Sequence, residues 1–172
     1  MAFHVDGDIR IATSFPTELQ CVALAYIPQS HRLATGHRDG QVRLWSIDSG
    51  TLVRSFWAHA RLALGIAVRR CGDLVTAGGD SRVVVWDAEG VETVAAFEDY
   101  GWMTHVVVHP TDDNIVVVGS NTQYIRVWDI REKTCVMFTT MVDDVLYSLA
   151  QLPNGNIVTG HLGGSMNVWA LD

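Results

Sequence analysis

Seven histidines, 19 Asp and Glu residues and three cysteines are the groups in this 172-residue chain that could carry chemistry. His105 and His109 form His-Val-Val-Val-His, which on a helix would put two imidazoles on one face at metal-ligand distance. His161 followed by Gly163-Gly164-Ser165 suggests a polar or phosphate-binding loop, but neither a Walker pattern nor a dinucleotide-binding fingerprint follows a strand and opens a helix here. Asp143-Asp144 offers a carboxylate pair. Gly-x-Ser-x-Gly is absent, so the commonest nucleophile turn is missing. Cys21, Cys71 and Cys135 stand apart and odd in number, which fits reduced thiols and small core residues better than a disulfide framework or a zinc site.

The elements that must position these groups come from an internal repeat. Trp45, Trp86, Trp128 and Trp169 are spaced 41, 42 and 41, and Phe15, Phe56, Phe97 and Phe138 are spaced 41 throughout. Leu33-Ala-Thr-Gly36, Leu74-Val-Thr-Ala77, Val116-Val-Val-Gly119 and Ile157-Val-Thr-Gly160 then align as four copies of one strand. Val42-Arg-Leu-Trp45, Val83-Val-Val-Trp86, Ile125-Arg-Val-Trp128 and Met166-Asn-Val-Trp169 follow as a second, β-branched and aromatic in the way strands are. Apolar runs around Val22–Ala25, Leu64–Val68, Val106–Val108 and Val145–Leu149 supply a strand before each pair, and the segments ending in the four Phe supply one after it. With four short strands per repeat and no helix-period pattern, the chain is all-β.

This reading disposes of most of the catalytic candidates. On a strand, four residues at ~3.3 Å rise separate His105 from His109 by roughly 13 Å, too far to share an ion. Gly163-Gly164 becomes a tight hairpin in which glycine supplies positive φ. Asp143 and Asp144 fall in a strand-joining loop and read as solvated charge, and no cysteine lies near a histidine in the aligned repeats, so a nucleophilic triad has no carrier.

Composition agrees with a folded, single-domain chain over 1–172: 48% of residues are apolar and 18% charged, too much buriable surface for a disordered chain. A net charge of −7 disfavours phosphate backbones and anionic lipid, so neither nucleic acid nor membrane is an expected partner. The N-terminus has no basic and apolar leader pattern, and no stretch approaches ~18 apolar residues. An intracellular chain, cytoplasmic or nuclear, is expected.

Trp86-Asp87, Trp128-Asp129, the hairpin Gly78-Gly79-Asp80, and His59 after Phe56 resemble the WD repeats of a β-propeller, and the resemblance covers essentially the whole chain. It implies that His59, Thr76, Asp80 and Trp86 form one hydrogen-bonded chain. A buried imidazole and indole N–H each need a partner, and a hairpin carboxylate can orient the imidazole. The first repeat keeps Thr35, Asp39 and Trp45 but has Glu18 where His59 aligns. The third has Val118 and Thr122 in place of Thr and Asp, and the fourth has Gly163 in place of Asp. Blades one, three and four are therefore expected to be held more by packing than by this network.

The repeats run approximately 16–56, 57–97, 98–138 and 139–172 plus 1–15. The chain opens in the fourth strand of a repeat, so the N-terminal strand could complete the last blade. Four blades is the smallest count in the ~4–8 range of propellers. That leaves a compact four-bladed ring, two half-rings pairing, a half-ring completed by another protein, or a fragment of a longer chain.

The expected function is a noncatalytic scaffold or adaptor for protein–protein assembly, without cofactor, metal or small-molecule substrate; the alternatives are a half-propeller that dimerises or is completed by a partner chain, and a small-ligand binder or enzyme using the channel. The loop before the first strand of each repeat aligns Cys21, Leu62, Trp102 and Val145, all apolar, near the channel entrance. Trp102, with Asp99, Tyr100 and Met103 around it, is the expected anchor, since Trp and Tyr dominate interface hot spots. Arg38 and Arg61 project from neighbouring loops and could take a carboxylate bidentately. Trp57 is expected in the core or as a cap.

Overall fold

The computed structural model describes residues 14–15, 17, 19–140 and 144–171, and among them there are fifteen strands and no helix. Each repeat builds one antiparallel sheet in simple up-and-down order. β1 (Cys21–Ile27), β2 (Arg32–His37), β3 (Gln41–Ser46) and β4 (Leu52–Trp57) make the first; β5 (Ala63–Val68), β6 (Leu74–Gly78), β7 (Arg82–Trp86) and β8 (Thr93–Glu98) the second. β9 (Met103–Val108), β10 (Ile115–Ser120), β11 (Tyr124–Asp129) and β12 (Thr134–Thr140) make the third. The fourth has three described strands, β13 (Leu146–Gln151), β14 (Ile157–His161) and β15 (Met166–Trp169). The expected strand ending at Phe15 lies, apart from residues 14 and 15, outside the described residues.

The 41-residue period reappears as a repeated register. The four Trp sit opposite an apolar residue in the first two positions of the second strand: Leu33 faces Trp45, Leu74 faces Trp86, Val116 faces Trp128 and Ile157 faces Trp169. A bulge interrupts the first pairing of every blade and the third pairing of the three four-stranded ones, next to the Trp. Repeated bulges at fixed positions raise the local twist and set how one blade stacks on the next.

The second strands of blades two and three and the third strand of blade two are buried on both faces over most of their length, which is why β7 and β10 run Val-Val-Val rather than alternating. The core accordingly lies between blades: one cluster joins blades one and two through Ile27, Leu44 and Leu74, a second joins two and three through Val75, Val85 and Val116, and a third joins three and four through Val117, Ile125 and Ile157. The repeat Phe of one sheet edge packs on the Trp of the next blade, with ring centroids 5.0 Å apart for Phe56–Trp86 and 4.7 Å for Phe97–Trp128; Phe15 meets Trp45 in the same way at 5.9 Å. Between Phe138 and Trp169 a cavity of about 240 Å³ remains, walled also by Ile125 and Ile157, and Phe138 is 64% exposed.

Arg69 locks the loops at one end of the arc: its guanidinium donates to the Asp113 carbonyl at 2.9 Å and to Asn114 Oδ1 at 3.1 Å while pairing with Asp73 at 2.8 Å. Gln29 Nε2 donates to the Arg70 carbonyl at 2.7 Å, and Arg32 holds both oxygens of Glu89. The cysteines are not the core residues expected: Cys21, at the bulged start of β1, and Cys71, in the β5–β6 turn, are exposed, and Cys135 is half-buried. Trp57, expected as core or cap, is 66% exposed at the end of β4.

Candidate functional site

The loops entering each first strand and the hairpins joining second to third strands gather at the opposite end of the arc. Polar links position them. In blade two the Asp80 carboxylate can only accept and the Trp86 indole can only donate, so for a neutral imidazole every proton is placed. His59 Nδ1–H donates to Asp80 Oδ1 at 2.8 Å, the Thr76 hydroxyl donates to His59 Nε2 at 2.9 Å, and Trp86 Nε1–H donates to Thr76 Oγ1 at 3.0 Å. Asp80 Oδ2 accepts from Ala60 N at 2.9 Å, clamping loop 59–62 to the hairpin. Burial pushes the His59 imidazole below its ordinary value of 6.5, with Asp80 opposing.

Blades one and four carry a related network that the repeat alignment misses. Thr35 Oγ1 meets His37 Nε2 at 2.8 Å and accepts from Trp45 at 2.8 Å; Thr159 Oγ1 meets His161 Nε2 at 3.0 Å and accepts from Trp169 at 2.9 Å. The expectation that blades one and four are held more by packing than by such a network is therefore corrected. The histidine comes from the strand itself, two residues past the threonine, instead of from the preceding loop. Gly78 holds that position in blade two, where an added Cβ would stand 2.3 Å from His59 Nδ1. One slot is thus filled in two ways. Asp39, freed from a histidine partner, pairs with Arg43 at 2.8 Å. In blade three Val118 replaces the threonine, the Trp128 indole has no hydrogen-bond partner, and Ser120 and Thr122 bond each other instead.

His37 and His59, with the half-buried His105, give the stability a pH dependence. Burial lowers His37, His59 and His105 from 6.5, so the unfolded chain binds more protons than the folded one just below that value. The contribution is complete above about pH 6.5 and is lost as pH falls through 6.5 toward the folded-state values. The midpoint of urea unfolding is expected to fall between pH 7.5 and about 5, before carboxylates titrate; a flat or rising midpoint over that window would contradict the assignment.

The other chemistry-bearing residues are not assembled into a reactive site. His105 lies on β9 against Thr104 Oγ1 at 2.9 Å, whereas His109 lies beyond the strand and accepts from the Thr111 and Asp112 backbone amides. His161 is buried in its blade, and Gly164 turns the β14–β15 hairpin at φ +92°. Asp144 accepts from the Gly163 amide, while Asp143 lies outside the described residues. Among the described residues no three His, Cys, Asp or Glu side chains converge as a metal site.

The face built by these loops does hold exposed aromatic and basic side chains. Tyr100 is 82% exposed and Trp102 is 42% exposed, and Arg38 and Arg61 are exposed on adjacent loops. Trp102 is fixed by a reciprocal pair, its N–H donating to Asn121 Oδ1 at 2.9 Å and its carbonyl accepting from Asn121 N at 3.1 Å. Two expected contact residues are corrected. Met103 is 1% exposed, because it opens β9 and points into the core between blades two and three; the Asp99 carboxylate is turned onto Arg126. Of the apolar set aligned at the channel, Cys21 and Val145 are exposed and Leu62 is half-buried.

The family model described as WD domain, G-beta repeat matches residues 10–46 and 50–87. Among curated proteins, the chain is 29% identical over 110 residues to myosin heavy chain kinase C of Dictyostelium discoideum, covering 62% of this chain and 14% of that protein. It is 25% identical over 156 residues to autophagy-related protein 16 of Arabidopsis thaliana, covering 87% and 30%. With the ribosome biogenesis protein WDR12 homolog of Chlamydomonas reinhardtii it shares 27% over 156 residues, covering 85% and 34%. The crystal structure of RRP9 WD40 repeats superposes with a TM-score of 0.83 at 17% identity, over 91% of this chain and 49% of that one. The chain thus spans about a third or less of these curated relatives and about half of that solved structure.

Proposed function

From a chain of WD repeats folded as consecutive propeller blades, we propose a noncatalytic scaffold that holds other proteins in a complex through the loop face carrying Tyr100 and Trp102. The supporting observation is a 42%-exposed Trp and an 82%-exposed Tyr on a loop pinned to the neighbouring hairpin. Rigid aromatic side chains on a fixed backbone lose little entropy on binding, which is what interface anchors require. Relatives named for autophagy and ribosome biogenesis fit a role in assemblies. Three cysteines free of disulfides fit an intracellular, reducing setting.

The experiment is affinity capture from a cell extract with the wild-type chain and with Tyr100→Ala/Trp102→Ala. The double variant is expected to keep its melting midpoint and to lose one or a few captured proteins. Unchanged capture would contradict the face assignment.

A second reading concerns the ends of the arc. Leu24 is 68% and Tyr26 48% exposed on the outer face of blade one, and Met166 is 79% and Val168 64% exposed on the face of blade four turned away from blade three. Apolar surface on this scale is normally covered, and further blades from a second copy or another chain would cover it. A light-scattering mass that stays at the 18.9 kDa of one chain at every concentration would contradict cover by a second copy.

A further inference from the structure

Resting on that reading of the loop face, we propose that its ligand is an acidic, extended peptide segment, whose Asp or Glu side chains engage Arg38 and Arg61 while an apolar side chain lies against Trp102. The argument is the two arginines left without a carboxylate on this face. The chain carries −7 overall, yet among the described residues at this end Asp39, Asp99 and Glu98 pair with Arg43, Arg126 and Arg82, and the Asp80 carboxylate is turned onto the neutral His59 imidazole and the Ala60 amide. Asp144 is taken up by backbone amides of Val145 and Gly163. Arg38 and Arg61 are exposed and, among the described residues, pair with no carboxylate. The face therefore offers two guanidinium groups with no carboxylate partner among the described residues.

The two arginines stand on one rigid strip. The Gly40 carbonyl accepts from Ala58 N at 3.1 Å and His59 N at 3.0 Å, joining the Arg38 hairpin to the Arg61 loop, and Gly79 N donates to the Leu62 carbonyl at 2.9 Å. A groove of about 470 Å³ then runs from Arg61 past Gly79, Asp80 and Ser81 to Gly101 and Trp102, with both Asp80 carboxylate oxygens held by His59 and the Ala60 amide. A guanidinium binds a carboxylate through two parallel N–H donors, and a small-residue floor lets a peptide backbone approach.

The test is selection of short random peptides displayed on phage against the full chain, followed by titration of a fluorescent synthetic copy of the enriched sequence. Expected are sequences combining Asp or Glu with Leu, Phe or Trp, and binding weakened about tenfold or more by Arg38→Glu/Arg61→Glu and by added salt. A copy with Lys in place of its acidic residues should regain binding to the charge-reversed variant, a rescue that misfolding could not produce. Enriched peptides without acidic residues, an empty selection, tighter binding of a single-stranded RNA oligomer, or indifference to Arg38→Glu/Arg61→Glu would each overturn the proposal. Loss in Tyr100→Ala/Trp102→Ala without any effect of the charge reversal would refute the acidic ligand and leave the loop face standing; indifference to both variants would refute both.

Discussion

Replacing Thr76 by Val should lower the free energy of unfolding by about 2–4 kcal/mol, because two buried partners lose their bonds at once. The substitution keeps the shape of a fully buried side chain and removes only the oxygen that accepts from Trp86 Nε1 and donates to His59 Nε2. An unsatisfied buried polar group costs about 1–3 kcal/mol, and the indole and the imidazole each become one. The melting midpoint should drop by about 5–10 °C for a chain of this size. Calorimetry of the variant is the check, and a cost under about 1 kcal/mol would mean that the network is not a unit.

Gly40→Ala should cost about 3 kcal/mol or more, since a methyl there meets backbone on two sides while the residue keeps a positive φ. Gly40 sits at φ +88°, and a Cβ would stand 2.2 Å from the His59 carbonyl oxygen and 2.4 Å from that of Arg61. Backbone oxygens cannot swing aside as a side-chain tip would, so blade one must part from loop 59–61 or the hairpin must change its turn. Gly164→Ala is the control: at φ +92° it has nothing within 4 Å, so it carries the conformational penalty alone, about 1 kcal/mol. Equal urea midpoints for the two variants would contradict the clash. The amides of Ala58 and His59, which donate to the Gly40 carbonyl, should exchange faster in Gly40→Ala.

The blades were legible because their determinants are local. A Trp opposite an apolar residue in each central hairpin and a Phe on each outer strand repeat at fixed spacing, and strand pairing follows from turns of a few residues. The full His59–Thr76–Asp80–Trp86 set could be traced in the second repeat for the same reason. What escaped was substitution across elements. Position-by-position alignment finds no His59 equivalent in blades one and four, because His37 and His161 reach the same space from another strand position. The pattern Thr-x-His at 35–37 and 159–161, set against Thr-x-Gly at 76–78, is the signal that carries it. Burial of single residues was also hidden. Met103 and Trp102 are neighbours in an apolar loop, and only the bulge that opens β9 decides that one points inward and the other out. The ion pair that occupies Asp99 depends on Arg126, 27 positions away, and no local pattern reports it.

The central claim, a protein-binding loop face on a rigid propeller arc, is tested most directly by backbone hydrogen exchange of the chain alone and in complex with a captured protein. The account predicts slowed exchange in loops 38–40, 59–62, 79–81 and 99–102, with β4, β8 and β12 unchanged. Protection confined to those outer strands, with the loops exchanging as in the free chain, would contradict it.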